Sequence, residues 1–174
     1  MATQENINNI CKNLIGNSNE LNDLGKMVLA ELLQHLPPIH KGIWGPVFVP
    51  LTRLLVRTNV DLAIINEGRI LLTWRDDKYF KGWHFPGGCL GPGESLDEAA
   101  QRIADAELGI KVRVVRKIDC FNNPDNHRSH DSAYFMLCEI INAKPTCGKW
   151  FNSCPKELIS CQIKYWNSIQ PKLY

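Results

Sequence analysis

A glycine turn that runs straight into a capped helix constrains this chain more than any other feature. The stretch "GGCLGPGESLDEAAQRIADAELGI" (residues 87–110) puts four glycines and one proline into its first seven positions. Ser95 and Glu98 then form the S-x-x-E capping box that starts a helix, and Gly109 is placed to end it. Glu94 lies just before the helix, where the positive end of the helix dipole favours a carboxylate. Within the helix, Leu96, Ala99 and Ala100 can face a sheet, and Glu98 and Arg102 stand four apart as an exposed pair. Ile103 and Glu107 share a face one turn apart, so a lone carboxylate points toward the glycine backbone.

The flanks of that helix are β-rich. "LLVRTNVDLAII" and "RILLTWR" are apolar runs joined by the hairpin-type turn "NEG". "WHFP" is a short strand leading into the glycine turn. After the helix come strands "VRVVRKIDCF" and "SAYFMLCEII", separated by the polar loop "NNPDNHRSHD", then a short "WFN" and a closing helix "PKELISCQIKYWNSI". Strands outnumber helices and one helix sits between strands, which predicts an α+β fold, a sandwich built on a mixed sheet. Trp83, Trp150 and Phe151 read as core. Upstream, residues 1–36 carry two helical apolar stripes that end at Pro37 and Pro38, and "LPPIHKGIWGPVFVP" reads as a Pro/Gly-rich connector. The chain is therefore divided into an N-terminal helical extension with its connector, 1–50, and a main domain, 51–174. The extension can pack on the main domain or pair with a second copy as a homodimer; packing in cis is the simpler arrangement.

A length of 174 residues suits one ordinary domain plus an extension, and 44% apolar with 22% charged residues is a soluble, globular composition. The formal charge of +2 gives no reason to expect nucleic acid or membrane as a partner. The one basic run, "KVRVVRK", alternates with valines, as a half-buried strand with a solvated basic face would. Seven cysteines, an odd number without a CxxC pair, read as buried free thiols in a reducing compartment. With no 18-residue apolar run and a polar start, the expected location is cytoplasmic.

Gly88, Glu94, Arg102, Glu107 and Gly109-Ile110 match the spacing of the Nudix box, G-x5-E-x7-R-E-U-x-E-E-x-G-U with U bulky and apolar. The preceding "GWHFPGG" resembles the strand that leads into that box. The resemblance covers roughly residues 55–165. It implies an αβα sandwich and hydrolysis of a nucleoside diphosphate linked to another moiety, with Mg2+ or Mn2+ as cofactor. The family's glutamate after the arginine is Ile103 here, however, and the first of its E-E pair is Ala106. Glu107, the Gly87 carbonyl and a substrate diphosphate could hold one ion, but not the cluster that activates water for attack at phosphorus.

That reduced pattern resembles the box of the GDP-mannose mannosyl hydrolase branch, in which water attacks the anomeric carbon of a nucleotide sugar and one Mg2+ neutralises the departing diphosphate. The resemblance implies a small-molecule nucleotide-sugar substrate, with Asp61 contacting it and Arg75 stabilising the leaving phosphate. Gly88, Glu94, Arg102 and Gly109 would be structural parts of the box. Two positions depart from the branch. Its arginine after G-G is Cys89, and its Gln-His pair before a tryptophan is missing from the "AKPTCGK" that precedes Trp150. The base is then sought among His130 and His127 of the polar loop, Asp131 beside them, and His84, which is also a candidate for substrate contact. Two rivals remain. One is a pyrophosphohydrolase that recruits Glu98, Asp105 or Glu139 to a metal cluster. The other is a degenerate Nudix domain that binds a nucleotide or a protein.

Overall fold

The computed structural model describes residues 3–39, 41, 45–141 and 144–169. Its backbone divides into two compact units, Met1–Pro37 and Pro38–Tyr174. The first unit is a helical hairpin of α1 (Gln4–Leu14) and α2 (Asp23–Gln34). Thr3 and Asn22 cap the two helices by accepting from the amides of Asn6 and Gly25. Gly25 has to be small, because a Cβ there would run into the Leu14 carbonyl.

In the second unit, the end of the connector is helical: α3 spans Phe48–Leu54. Strands β1 (Arg57–Asn66) and β2 (Arg69–Asp76) form the expected hairpin. Glu67 and Gly68 both take positive φ, 50° and 69°, which matches the turn to the right-handed strand twist. Then follow β3 (Lys81–His84), β4 (Gly87–Cys89), α4 (Leu96–Leu108), β5 (Val112–Asn123), β6 (Asp131–Ile140) and β7 (Lys149–Phe151). A 3-10 turn at Ser160–Gln162 precedes α5 (Ile163–Ile169), so the closing helix is shorter than its apolar pattern suggests.

The sheet runs β3-β2-β1-β6-β5, with β4 added beside β1 and β7 beside β2. Strands β1 and β6 pair in parallel and the other described strand pairs are antiparallel, so the sheet is mixed, as expected. Strand β1 changes partner along its length. Its first half pairs with β4 (Asn59↔Cys89, Val60↔Gly88, Asp61↔Gly87), and its end pairs with β2 (Ile65↔Ile70). The glycine turn of the sequence is thus partly strand, held against β1.

Two cores flank the sheet. Val60, Leu62 and Ile64 of β1 pack with Ala99, Ala100, Ile103 and Leu108 of α4. The alternate residue Ala63 packs with Phe85, Phe135 and Tyr165, Trp166 and Ile169 of α5. This is an αβα sandwich, and its alternation turns Asp61 toward the α5 side. The seven cysteines are free, but only Cys138 is buried; Cys120, Cys147 and Cys154 are exposed, which corrects the reading of buried thiols. On β5, Arg113, Arg116 and Lys117 face solvent. No helix among the described residues is long and apolar enough to cross a membrane.

Candidate active site

Helix α4 starts at the capping box. The Glu98 amide donates to Ser95 Oγ at 3.2 Å and the Ser95 amide to Glu98 Oε2 at 2.8 Å. Glu98 is consumed there, so the expected Glu98–Arg102 pair does not form. Arg102 instead grips Glu94 through two parallel bonds of 2.6 and 2.7 Å, and donates to the Cys89 carbonyl at 2.9 Å. The Gly91 amide donates to the same Glu94 carboxylate at 2.9 Å. Glu94 and Arg102 therefore pin the glycine loop to the helix. Gly109 ends the helix at φ 65°, a conformation that favours glycine.

Gly87 lies between two acids. A Cβ on it would collide with Asp61 Oδ1, so only glycine lets β4 close on β1 here. From the other side, the Gly87 amide donates to Glu107 Oε1 at 3.3 Å. Burial pushes Glu107 up to about 7, against the pull of the Gly87 amide and of Arg75. Burial raises Asp61 further, to about 8, reinforced by the charges of Asp131 and Glu107 and opposed by a hydrogen bond from Tyr165. Ile103 is only 2% exposed and belongs to the core, while Ala106 is exposed.

A cavity opens beside this strand pair. Asp61, Arg75, His84, Gly87 and Gly88 line it, and Cys89 joins them where the resemblance would have an arginine. His84 is fully engaged: its ring nitrogens bond Thr73 Oγ1 at 3.0 Å and the Phe85 carbonyl at 2.7 Å. Burial lowers it to about 4, so the ring on the cavity wall is neutral at physiological pH. His127 and His130, expected as candidate bases, do not line the cavity. Strand alternation explains His130: it shares a face with Ser132, and both bond Asn122 Oδ1 on β5, while Asp131 between them turns inward. His127 is exposed beside the Phe80 ring. Asp131 does line the cavity, but both its oxygens are spent, on Asn123 (2.7 Å), Asn126 (2.6 Å) and the buried Arg57 (3.1 Å).

Sequence reasoning missed much of the wall. Arg57, Asn123, Asn126, Arg128, Gln162 and Tyr165 all line the cavity. Gln162 accepts from the Phe85 amide at 2.9 Å. Tyr165 stacks on Phe121 with centroids 4.3 Å apart, which fixes its hydroxyl near Asp61 and Asn123. The available signals were an arginine inside the apolar run that opens β1, and an arginine between the two loop histidines. Asn59 Oδ1, Asn123 Oδ1 and Arg128 Nε are buried without a hydrogen-bond partner among the described residues. Asn59, Asn123 and Arg128 all belong to the cavity wall, which is thus rich in polar groups not yet paired by the fold.

Among known proteins, the NUDIX domain profile matches residues 55–167. The chain belongs to the NUDIX domain family. Over 66 residues (37% of this chain) it is 38% identical to the low-salt glycan biosynthesis protein Agl8 of Haloferax volcanii. Over 91 residues (51% of this chain) it is 30% identical to the ADP-ribose pyrophosphatase of Methanocaldococcus jannaschii. The matched stretches span 42% and 54% of those relatives, about half their length. The fold is also that of the crystal structure of a MutT NUDIX hydrolase from Burkholderia pseudomallei, with a TM-score of 0.60 and 23% identity, covering 66% of this chain and 98% of that one.

Proposed function

We propose that this Nudix domain hydrolyses a nucleoside diphosphate-linked sugar, with water attacking the anomeric carbon and the nucleoside diphosphate as leaving group. The observation that carries this reading is that Glu107 is the carboxylate α4 turns to Gly87, while Ile103 lies in the core and the other box position is Ala106. Among the described residues there is no group of three or more His, Cys, Asp or Glu side chains fit to hold a metal ion. The acids that a phosphorus-directed cluster could recruit are elsewhere: Glu98 caps its helix, Asp105 is exposed, and Glu139 is exposed and pairs with Arg113.

A buried carboxylate raised to about 7 beside a backbone turn suits one divalent cation. Glu107, the Gly87 carbonyl and the substrate would hold one Mg2+, or Mn2+, which supplies charge neutralisation for the diphosphate. Arg75, on the cavity wall, steadies the same charge as it develops. Asp61 contacts the substrate and also replaces the histidines as base. It lines the cavity and Tyr165 orients it; because burial holds its pKa up to about 8, the proton-accepting carboxylate is the minor form at pH 7, and turnover should rise with pH toward 8. As the water oxygen bonds to the anomeric carbon, its proton passes to the ionised Asp61 carboxylate. The bond from that carbon to the diphosphate oxygen breaks, and its electrons leave with the diphosphate. The likeness to an ADP-ribose pyrophosphatase favours a second reading, attack at phosphorus.

The test is turnover of a nucleotide-sugar panel with Mg2+ in oxygen-18 water, read by mass spectrometry. Label in the free sugar is the expected result. Label in a phosphate would replace this reading with the second one, and binding without turnover would favour a nucleotide-binding domain. Glu107→Gln should abolish metal-dependent turnover; full activity in that variant would sink the metal assignment.

A further inference from the structure

The cavity holds a pair of cations that the box does not account for. Arg128 reaches it from the loop between β5 and β6, and Arg75 from β2. Asp77 joins the two: its Oδ2 accepts Arg75 Nε at 2.6 Å and an Arg128 Nη2 at 3.1 Å. Its other oxygen is tied to the backbone amides of Tyr79 and Phe80 at 2.8 and 2.9 Å, so the carboxylate is anchored before it meets either guanidinium. Aromatic rings hold the same groups from a third direction. Arg128 lies 5.4 Å from the Tyr79 centroid and 5.9 Å from that of Phe80, and Arg75 lies 5.3 Å from Phe80.

One carboxylate thus serves two guanidiniums, and the third arginine of the wall, Arg57, already has Asp131. The remaining donors of the pair are largely unspent. Arg128 Nε is buried with no partner among the described residues, a cost that a resident fold rarely carries without return. A spare positive charge, planar forks and fixed orientation suit a ligand with adjacent anionic oxygens.

We propose that Arg128 binds the diphosphate of the substrate beside Arg75, and that Asp77 is the positioning residue that sets the two guanidiniums next to each other. This rests on the nucleoside diphosphate reading given above. Because the pair is assembled before the ligand arrives, little is lost in ordering it on binding.

Calorimetric titration of the full chain with ADP and GDP in Mg2+ buffer tests it, with thermal melts to check folding. Arg128→Gln should weaken binding about tenfold to a hundredfold, the loss of one to two charge-assisted bonds. Arg128→Lys should recover only part of this, since an ammonium keeps the charge but not the fork. Asp77→Asn should weaken binding in the native background and distinctly less when Arg128 is already Gln; a merely structural role would cost the same in both. If the native chain binds a diphosphate and Arg128→Gln binds it equally well, the proposal is overturned while the nucleotide reading stands. If Gln at 128 prevents folding, native affinity in Arg128→Lys overturns it instead. A native chain that binds neither nucleotide overturns the nucleoside diphosphate reading, and this proposal with it.

Discussion

Asp61 keeps its proton well into the neutral range because burial penalises its charge and Asp131 repels it. The sign of the resulting pH dependence is fixed. An unfolded chain releases that proton near the ordinary value of 3.8, whereas the folded one holds it to about 8. Between those values the folded state binds more protons, so its stability falls as pH rises and levels off above about 8. The slope is on the order of 1.4 kcal/mol per pH unit at most for one such group. Glu107 adds a similar term from 4.5 to about 7. Asp61→Asn keeps the shape without the charge. In metal-free buffer its melting temperature should decline less between pH 5 and pH 8 than that of the native chain. Parallel declines would show that Asp61 ionises with little penalty.

Helix α4 and strand β4 carry the part of the site that could be read in advance. The capping box, the terminal Gly109 and the β1–β2 hairpin are local chemistry, encoded within a few residues of where they act. Ser95→Ala removes the side-chain acceptor at the helix start and should cost about 1 kcal/mol in chemical denaturation. A loss below a few tenths would mean that the Glu94–Arg102 grip holds the helix start by itself. The polar loop before β6 was harder to read. Its histidines have the chemistry of a base, yet strand alternation turns Asp131 inward and His130 outward. Partners such as Arg57 and Asp131 are 74 residues apart in sequence, and only the parallel register of β1 and β6 brings them together. No local pattern encodes such a register, so Arg57, Arg128 and Tyr165 stayed hidden.

At the scale of the molecule, the cavity wall is built, among the described residues, from the unit Pro38–Tyr174. We propose that the N-terminal helices are an extension outside the Nudix domain and contribute nothing to the chemistry. A chain lacking residues 1–37 should then fold and bind ADP or GDP with native affinity, by calorimetry; a lost site would give the extension a direct part in it. Ile103 has a different consequence. Where the family's box has a glutamate, this side chain is sealed into the core under β1, with Gly88 resting against it. An acid reintroduced there would have to ionise among Val60, Leu62 and Leu108. Ile103→Glu should therefore hold its proton well above the ordinary carboxylate range and lower the melting temperature most at high pH, so this corner of the fold sets the charge that the site can carry.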